Sequence, residues 1–247
     1  MIHRFETIDS TNTQACQMAQ EGAPHGTALV AKQQTGGRGR LGRSFHSPAG
    51  SGLYFSMILR PKTTPAQLMH LTCAAAVAVC RAIEETAGIS PAIKWTNDLV
   101  WGKKKLGGIL TELGFEGQNL SYAVVGIGLN CTQKEADFPP ELQHMATSLA
   151  SAAGKEINIS ALEEALYRHL LEIADQLLTH KPRIMAAYKA SCMTIGQQVR
   201  VVGGDTDRQG KALDVDADGG LVVQFADGQI QTVASGEVSI RGMYGYI

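Results

Sequence analysis

The glycine- and arginine-rich segment at residues 37–43, GRGRLGR, restricts the possible folds of this 247-residue chain more than any other part of it. Taken literally, the segment matches the G-x-G-x-x-G pattern of dinucleotide-binding folds. That pattern needs a helix directly after the glycines and an acidic residue about twenty positions later. Here an apolar, strand-like run at residues 52–59 follows, and residues 23–83 contain no acidic residue. The sequence therefore argues against a Rossmann fold.

Two other phosphate-binding folds are also excluded, because the chain has neither a G-x-x-x-x-G-K-[ST] loop nor the catalytic signatures of protein kinases. What remains is a loop in which three arginines alternate with glycines. Glycine lets the backbone approach a ligand closely, and the arginine fork binds phosphate oxygens through two hydrogen bonds. Composition alone leaves a solvated basic surface loop open. Our hypothesis is that a phosphate-bearing ligand orders this loop into a lid.

Composition and charge narrow the class of protein. A hydrophobic content of 44% suits one medium domain and a small second one. The formal net charge of −1 provides no global positive field for DNA or RNA. The first residues do not resemble a signal peptide, and no apolar run of about 18 residues predicts a membrane span. Five scattered cysteines without a Cys-x-x-Cys pair predict reduced thiols in the cytoplasm rather than disulfides or zinc.

Hydrophobic periodicity predicts an α+β domain at residues 1–193. Strands are expected at residues 2–8, 27–32, 52–59, 92–95, 105–113 and 121–129. A long apolar helix is expected from the Thr64-Pro65 cap to Gly88, and a further helix after Pro182. Possible capping boxes at residues 11–14 and 160–163 predict two more helix starts.

The pattern changes near residue 195, where short strands separated by glycine and aspartate turns begin. They are predicted at residues 198–202, 210–215, 221–225, 229–233 and 237–240. Five short strands in about fifty residues are typical of a small SH3-like β-barrel. We therefore divide the chain into a catalytic domain at residues 1–193 and a barrel at residues 194–247.

A second cluster of chemically useful residues lies at Lys94-Trp95-Thr96-Asn97-Asp98, shortly before the strand that starts at Lys105. A turn at residues 102–104 would form a hairpin and place Lys94, Asp98 and Lys105 near one another. Two lysines beside one carboxylate suit a metal-bound triphosphate. Asp98 could hold Mg²⁺, and the lysines could neutralise phosphate oxygens that gain charge in the transition state.

The histidines, tryptophans and three of the methionines offer weaker signals. The seven histidines show no metal-ligand spacing. Trp95 and Trp101 are candidates for stacking on a ligand, whereas Met57, Met69 and Met145 are predicted core residues.

Together the motifs resemble those of biotin–protein ligases, in the same order and with the same spacing. The similarity covers roughly residues 5–240, and five weak motifs in order make a specific signal. It implies a fold related to class II aminoacyl-tRNA synthetases, with a mixed, mostly antiparallel sheet between helices. The matching segments are residues 10–12, STN; 34–43, QTGGRGRLGR; 94–98, KWTND; 105–110, KLGGIL; and 126–130, GIGLN.

The resemblance also implies roles for individual residues. The catalytic residues would be Arg38, Arg40 and Lys105, and Asp98 would hold Mg²⁺. Biotin would contact Ser10, Thr11, Asn12, Gln34, Arg38, Gly39, Arg40 and Lys105, and ATP would contact Arg38, Arg40, Arg43, Lys94, Asn97 and Asn130. Two departures from the family pattern, Thr96 for a usual proline and Phe45 for a frequent tryptophan, put affinity in doubt more than activity.

The function implied by the resemblance is the ATP-dependent formation of biotinyl-5′-AMP, followed by transfer of biotin to a lysine of a biotin carboxyl carrier protein. The resemblance further implies a homodimer formed through the central sheet. Some members of the family repress transcription through an N-terminal winged helix. Because the biotin motif begins at residue 10, we expect the short form, without specific DNA binding.

Two alternatives stay open at this point. A lipoate–protein ligase or octanoyl transferase would share the fold, but no cysteine lies in a transferase-like motif, and Ser10, Thr11, Asn12 and Gln34 suit a polar ring better than a linear apolar acid. A non-enzymatic regulator that binds biotin or adenylate would lack a catalytic lysine or the arginine loop, and both are present.

Overall fold

A computed structural model of the chain describes residues 1–203, 206–234 and 239–242. The first domain is built on a seven-stranded sheet with the order β1-β2-β3-β7-β6-β5-β4. β1 and β2 run parallel, and the other neighbours are antiparallel. The predicted mixed, mostly antiparallel sheet is therefore confirmed. The strands are β1 (Ile2–Ile8), β2 (Ala28–Gln34), β3 (Gly52–Leu59), β4 (Ala92–Lys94), β5 (Asp98–Trp101), β6 (Lys104–Glu116) and β7 (Asn119–Asn130).

Helices cover both faces of this sheet. Because side chains alternate along a strand, Leu29, Ile58 and Val124 face one helix while Met57 and Val125 face the main core on the other side. The first helix packs on β3 and β7, and the second and fourth pack on each other. The helices are α1 (Thr11–Gln20), α2 (Leu71–Ala87), α3 (Leu149–Ala153), α4 (Ile159–Gln176) and α5 (Lys181–Ser191).

The predicted long apolar helix is present but has two parts. A short 3-10 turn, Pro65–Leu68, starts at the predicted cap Thr64, which forms a capping box with Gln67, and α2 then ends at Gly88, whose φ of 73° is left-handed. By length and composition the stretch Pro65–Ala87 could cross a membrane, but 67% of its most apolar window is buried inside the protein. The stretch is accounted for as the core helix of the first domain.

Two predicted capping boxes are wrong by one or two residues. α1 is capped by Ser10, whose side chain accepts a hydrogen bond from the backbone N–H of Thr13, and α4 is capped by Asn158. Both regions contain several adjacent residues able to cap, and the choice depends on which one has extended backbone. Thr11 is already helical, and its hydroxyl is used elsewhere. The short helix α3 was not predicted.

The second domain is a five-stranded antiparallel sheet with the order β11-β10-β9-β8-β12. It agrees with the predicted small β domain, although β9 starts four residues earlier than expected. Residues 237–238 of the last predicted strand lie outside the described residues. The strands are β8 (Gln198–Gly203), β9 (Thr206–Val215), β10 (Leu221–Phe225), β11 (Ile230–Val233) and β12 (Ser239–Gly242).

The connection between the domains covers the edge strand β4. In this linker (residues 192–194), Cys192 forms a β-bridge with Ile93, and the backbone N–H of Met193 donates to the carbonyl of Ile93 at 3.0 Å. The hydroxyl of Thr194 accepts a hydrogen bond from the backbone N–H of Trp95 at 2.9 Å. The predicted domain boundary at residues 193–194 falls in the linker and stays a prediction.

Candidate active site

A network of uncharged side chains surrounds the N-terminus of α1. Ser10, Thr11 and Asn12 are all buried. The backbone N–H and the hydroxyl of Thr11 donate to Oε1 of Gln34 at 2.8 and 3.1 Å, and Nε2 of Gln34 donates to the hydroxyl of Ser47 at 3.0 Å. The four residues assigned to biotin by resemblance alone, Ser10, Thr11, Asn12 and Gln34, are therefore brought together.

The amide of Asn12 has a fixed orientation within this network. Its Oδ1 accepts a hydrogen bond of 2.6 Å from the fully buried hydroxyl of Ser56. Its Nδ2 donates to the carbonyl of Leu110 at 3.2 Å and to Oε2 of Glu112 at 2.9 Å. Apart from the Glu112 carboxylate, the donors and acceptors of this set are neutral, which suits a neutral polar ring.

Next to this network, the sheet is bare backbone at three glycines, which we call the glycine floor (Gly108, Gly126 and Gly128). Gly128 pairs with Gly108, and Gly126 pairs with Leu110, two residues further along β6. Two residues along a strand span about 7 Å. Because these three positions carry no side chain, groups from other elements or a ligand can lie directly on the backbone of β6 and β7 there.

A side chain would collide with a group of the site at two of these glycines and would make a tight contact at the third. A Cβ at Gly126 would overlap the amide of Asn12, and one at Gly128 would lie 2.6 Å from the ring of Phe45. At Gly108 the Cβ would lie 3.3 Å from both Nζ of Lys105 and Oδ1 of Asp98. The floor thus has one end at Asn12, where most of the groups are uncharged, and a charged end at Lys105.

The charged end joins residues from the arginine loop and from the predicted hairpin. Nζ of Lys105 lies 2.6 Å from Oδ1 of Asp98, and Nη1 of Arg40 donates to Oδ1 of Asn97 at 3.0 Å. Burial lowers the pKa of the Arg40 guanidinium, and the nearby Asp98 carboxylate partly opposes this shift. Nδ2 of Asn97 donates to the carbonyl of Ile109, which fixes the amide. The predicted proximity of Asp98 and Lys105 is confirmed.

The hairpin itself contains one more strand than expected. β5 lies between β4 and β6. The turn from β4 to β5 places Lys94 opposite Asp98, and the turn from β5 to β6 follows Trp101 and leads to Lys105. Trp95 does not form an exposed stacking surface, because it is buried and its indole Nε1 donates to the carbonyl of Gly219 at 2.9 Å. The peptide bond between Trp95 and Thr96 is cis.

The backbone of Lys105 is held by a distant loop. Its N–H donates to the carbonyl of Met145 at 2.7 Å, and its own carbonyl accepts from the N–H of Thr147 at 2.9 Å. Nδ2 of Asn130 donates to the carbonyls of Thr147 and Lys105 at 3.1 and 3.5 Å. The structure therefore places Asn130 beside Lys105, where its amide fixes the backbone of Lys105 and Thr147.

The arginine loop (residues 37–43) is folded against the same site. Arg38 makes two hydrogen bonds to the carboxylate of Glu112, at 2.8 and 3.1 Å. The N–H of Gly39 donates to the carbonyl of Arg43 at 2.7 Å, and the side chain of Arg43 is exposed. Arg38 and Arg40 thus reach opposite ends of the glycine floor, and Arg43 closes the loop through its backbone.

Sequence reasoning missed four residues of the site, Ser47, Ser56, Glu112 and Thr194. Ser56 lies in an apolar strand, where a hydroxyl that is buried must find a polar partner. Glu112 is a carboxylate in the interior of a strand that was otherwise predicted as apolar, and that position could have marked it. Ser47 and Thr194 gave no signal, because small hydroxyl residues are common in loops.

The arrangement can hold a molecule with a neutral polar head and an anionic end, together with a polyphosphate. Among the residues that the structure describes, there is no group of three or more His, Cys, Asp or Glu able to hold a metal ion. Asp98 offers one carboxylate beside the cationic groups. One carboxylate is the donor set expected for Mg²⁺ that keeps most of its water and arrives with substrate phosphates.

Comparison with known proteins identifies the family. Residues 4–130 match the biotin/lipoate A/B protein ligase family, and residues 194–241 match the biotin protein ligase C terminal domain. This chain belongs to the biotin/lipoate A/B protein ligase family. The chain is 36% identical over 236 residues to the bifunctional ligase/repressor BirA of Bacillus subtilis, covering 95% of this chain and 72% of that protein.

Other family members agree in sequence and in structure. The biotin–[acetyl-CoA-carboxylase] ligase of Mycobacterium tuberculosis is 33% identical over 235 residues, which cover 93% of this chain and 85% of that one. The biotin protein ligase of Aquifex aeolicus, in complex with biotin and ATP, superposes with a TM-score of 0.80 at 30% identity and covers 98% of both chains. The biotin ligase fold that the sequence motifs implied is confirmed.

Proposed function

We propose that this family member is an ATP-dependent biotin–protein ligase, which adenylates biotin and then transfers it to a lysine of a biotin carboxyl carrier protein. The observation that carries the proposal is the glycine floor, with a neutral hydrogen-bonding pocket at one end and Arg40, Asp98 and Lys105 at the other. The similarity to biotin ligases of known sequence and structure supports the same activity.

In the first step, a carboxylate oxygen of biotin attacks the α-phosphorus of ATP, and pyrophosphate leaves. Both reactants are anions, so the enzyme must position them and neutralise charge that develops on the phosphate oxygens. We assign the positioning of biotin to Ser10, Thr11, Asn12 and Gln34, with the backbone of Gly39 above it. We assign charge neutralisation to Arg38, Arg40 and Lys105, and contact with ATP to Arg43, Lys94 and Asn97, whereas Asn130 would act through the backbone of Lys105 that it holds.

Mg²⁺ is proposed as a partner of the nucleotide, with Asp98 as the residue that would hold it. When bound, the ion supplies positive charge to the triphosphate oxygens. Lys105 lies 2.6 Å from the same carboxylate, which keeps the ammonium group and the ion site adjacent. The residues present thus fit an ion delivered by ATP.

In the second step, the free amine of a carrier lysine attacks the carbonyl of the mixed anhydride, and AMP leaves. No protein nucleophile is needed, and the cysteines do not offer one. Burial raises the pKa of the Cys131 thiol to about 12, and burial with the nearby Glu112 carboxylate raises that of Cys16 to about 11. Both thiols stay protonated near neutral pH and are poor nucleophiles.

We further propose a homodimer formed through the central sheet. β1 is the outer strand of the sheet on the side opposite β4, which the linker covers. An outer strand offers backbone groups that a second copy can pair with. Sedimentation velocity across a range of concentrations measures this: a concentration-dependent increase in sedimentation coefficient is expected, and a constant monomer value would exclude the dimer.

The proposed location is the cytoplasm, where the five cysteines found free in the structure would stay reduced. Specific DNA binding is not expected, since the formal net charge of −1 provides no general attraction to a polyanion. A sequence-specific gel shift at physiological salt would contradict this expectation.

The decisive experiment is pyrophosphate exchange. The purified protein is incubated with ATP, Mg²⁺ and labelled pyrophosphate, and incorporation of label into ATP is measured with biotin, lipoate or octanoate. Exchange that requires biotin is the expected result. Exchange with lipoate alone would assign the protein to the lipoate branch of the family, and no exchange with any acid would reject adenylation.

A further inference from the structure

Glu112, in the middle of β6, connects two parts of the site that are far apart in the sequence. Its carboxylate accepts two hydrogen bonds from Arg38 of the arginine loop, at 2.8 and 3.1 Å. The same carboxylate accepts a bond of 2.9 Å from Nδ2 of Asn12, at the start of α1. The mechanism proposed above gives Glu112 no role, although it touches a residue assigned to biotin and one assigned to the adenylate.

The geometry makes the contact with Arg38 more than a surface ion pair. Two parallel bonds between a guanidinium and a carboxylate fix distance and orientation together. The side chain of Glu112 is 26% exposed and that of Arg38 is 47% exposed, so solvent weakens the pair without removing it. In the arginine loop, glycines alternate with arginines and no side chain is fully buried, so polar contacts have to set the loop position: Asn97 holds Arg40, and Glu112 holds Arg38.

The contact with Asn12 is equally constrained. Because Ser56 holds Oδ1 of Asn12, the amide cannot turn over without losing hydrogen bonds on both sides. Nδ2 of Asn12 is divided between Glu112 and the carbonyl of Leu110. A shift of the Glu112 carboxylate therefore reaches the biotin pocket directly, and a shift of Asn12 reaches Arg38.

We propose that Glu112 is a positioning residue that anchors the arginine loop to the biotin pocket, so that the closed loop and a correctly arranged pocket stabilise each other. This inference rests on the proposed function for its catalytic consequence, although the anchor itself is independent of it. The consequence is retention of biotinyl-adenylate: a loop that has lost its anchor opens more often and releases the intermediate to water.

The test compares the variant Glu112→Gln with a matched control, Glu85→Gln. Glu85 accepts two bonds from Nη2 of Arg168, at 2.6 and 2.8 Å, between α2 and α4 and away from the glycine floor. Both substitutions remove one negative charge and disrupt one arginine–carboxylate pair. A general effect of losing such a pair would appear in both variants, and an effect of the loop anchor would appear only with Glu112→Gln.

The first readout needs no catalysis. Trypsin cleaves after arginine, and residues 37–43 contain three, so the rate of cleavage there reports how often the loop opens. We expect cleavage in the loop to become about tenfold faster in Glu112→Gln, the size of effect that loss of a charged hydrogen bond produces. Equal cleavage rates in wild type and Glu112→Gln would reject the anchor.

The second readout is the rate at which preformed biotinyl-adenylate leaves the protein, measured by filtration after a single turnover. About tenfold faster release is expected for Glu112→Gln. The same is expected for Arg38→Lys, which keeps the positive charge but not the two parallel hydrogen bonds to the carboxylate. Because both changes break the same contact, the double variant should also be about tenfold faster, and a hundredfold effect would overturn the coupling. If the wild-type protein shows no biotin-dependent pyrophosphate exchange, the proposed function is wrong. The rate of trypsin cleavage would still test whether Glu112 anchors the arginine loop.

Discussion

The two ends of the glycine floor are built in different ways. At the Asn12 end, the side chains come from α1 and from strands of the first domain: Thr11, Asn12, Gln34 and their partners Ser56 and Glu112. At the charged end, the turn between β4 and β5 that carries Lys94, Asn97 and Asp98 is supported from outside the sheet.

That outside support comes mostly from the end of the chain. Trp95 donates its backbone N–H to Thr194 and its indole N–H to Gly219, and the hydroxyl of Tyr188 donates to the carbonyl of Thr96. The proposed acid pocket therefore draws its contacts from the first domain, whereas the proposed nucleotide end also draws on the linker and the second domain. Perturbations should therefore separate biotin binding from ATP use.

The largest effect is expected from Lys105→Met. This change removes the ammonium group 2.6 Å from Asp98 and leaves a carboxylate without that neutralising charge where phosphates must bind. We expect the rate of biotin-dependent pyrophosphate exchange to fall by about 10²–10³-fold, as for loss of one transition-state contact. Lys103→Met, at an exposed turn position, is the matched control and should retain the wild-type rate. Equal losses in the two variants would remove Lys105 from the mechanism.

Gly126→Ala should damage the opposite end. The added Cβ would overlap the amide of Asn12 and push it out of its hydrogen bonds with Ser56 and Glu112. We expect biotin to bind about 10–100-fold more weakly, because overpacking and lost hydrogen bonds add. Isothermal titration with biotin and, separately, with a non-hydrolysable ATP analogue measures both affinities. A similar loss for both ligands would contradict the separation of the two ends.

A smaller effect is expected from Trp95→Phe, and it should concern ATP rather than biotin. The change keeps an aromatic ring but removes three buried ring atoms, and the carbonyl of Gly219 loses its indole N–H donor inside the protein. An unsatisfied buried acceptor costs about 1–3 kcal/mol, part of which should appear as a Michaelis constant for ATP raised about 3- to 10-fold. The Michaelis constant for biotin should stay unchanged. Trp101→Phe, where the residue is 39% exposed, serves as the control.

The smallest effect concerns the cysteines. Burial raises the pKa of the Cys73, Cys80 and Cys131 thiols to about 12, and that of Cys16 to about 11. A raised thiol pKa keeps the protonated form up to a higher pH, so iodoacetamide at neutral pH should modify these residues slowly. Activity should be unchanged, and mass spectrometry should show faster labelling only as the pH approaches 11. Rapid inactivation at pH 7 would favour a cysteine-dependent transferase.

The parts of this molecule that could be predicted from sequence are those with local signals. Short apolar runs predicted six of the seven strands of the first domain, with β5 missed, and the turn glycine at position 102 brought Asp98 and Lys105 together as expected. The Thr64 capping box and the left-handed Gly88 also follow from short patterns. In each case the residues that decide the structure lie within about ten positions of each other.

The parts that were missed depend on contacts across the fold. Arg38 and Asn12 lie 74 and 100 residues before Glu112, and no local pattern links them. Trp95 was expected to be a possible stacking residue, but its partner Gly219 lies 124 residues later. Met57 is buried as predicted. The prediction is wrong for Met69 and Met145, which lie in turns and are 55% and 37% exposed.

The covering of β4 by the linker sets the order in which the protein can be completed during synthesis. A chain grows from its N-terminus, and domains fold as they emerge. β4 has unpaired backbone on its outer side until residues 192–194 of the 247 have left the ribosome. Until then this edge is open to pairing with other chains. The nascent chain should therefore complete the Asn12 end of the glycine floor before its Lys105 end, because the outer side of β4 is covered only once the linker has been synthesised.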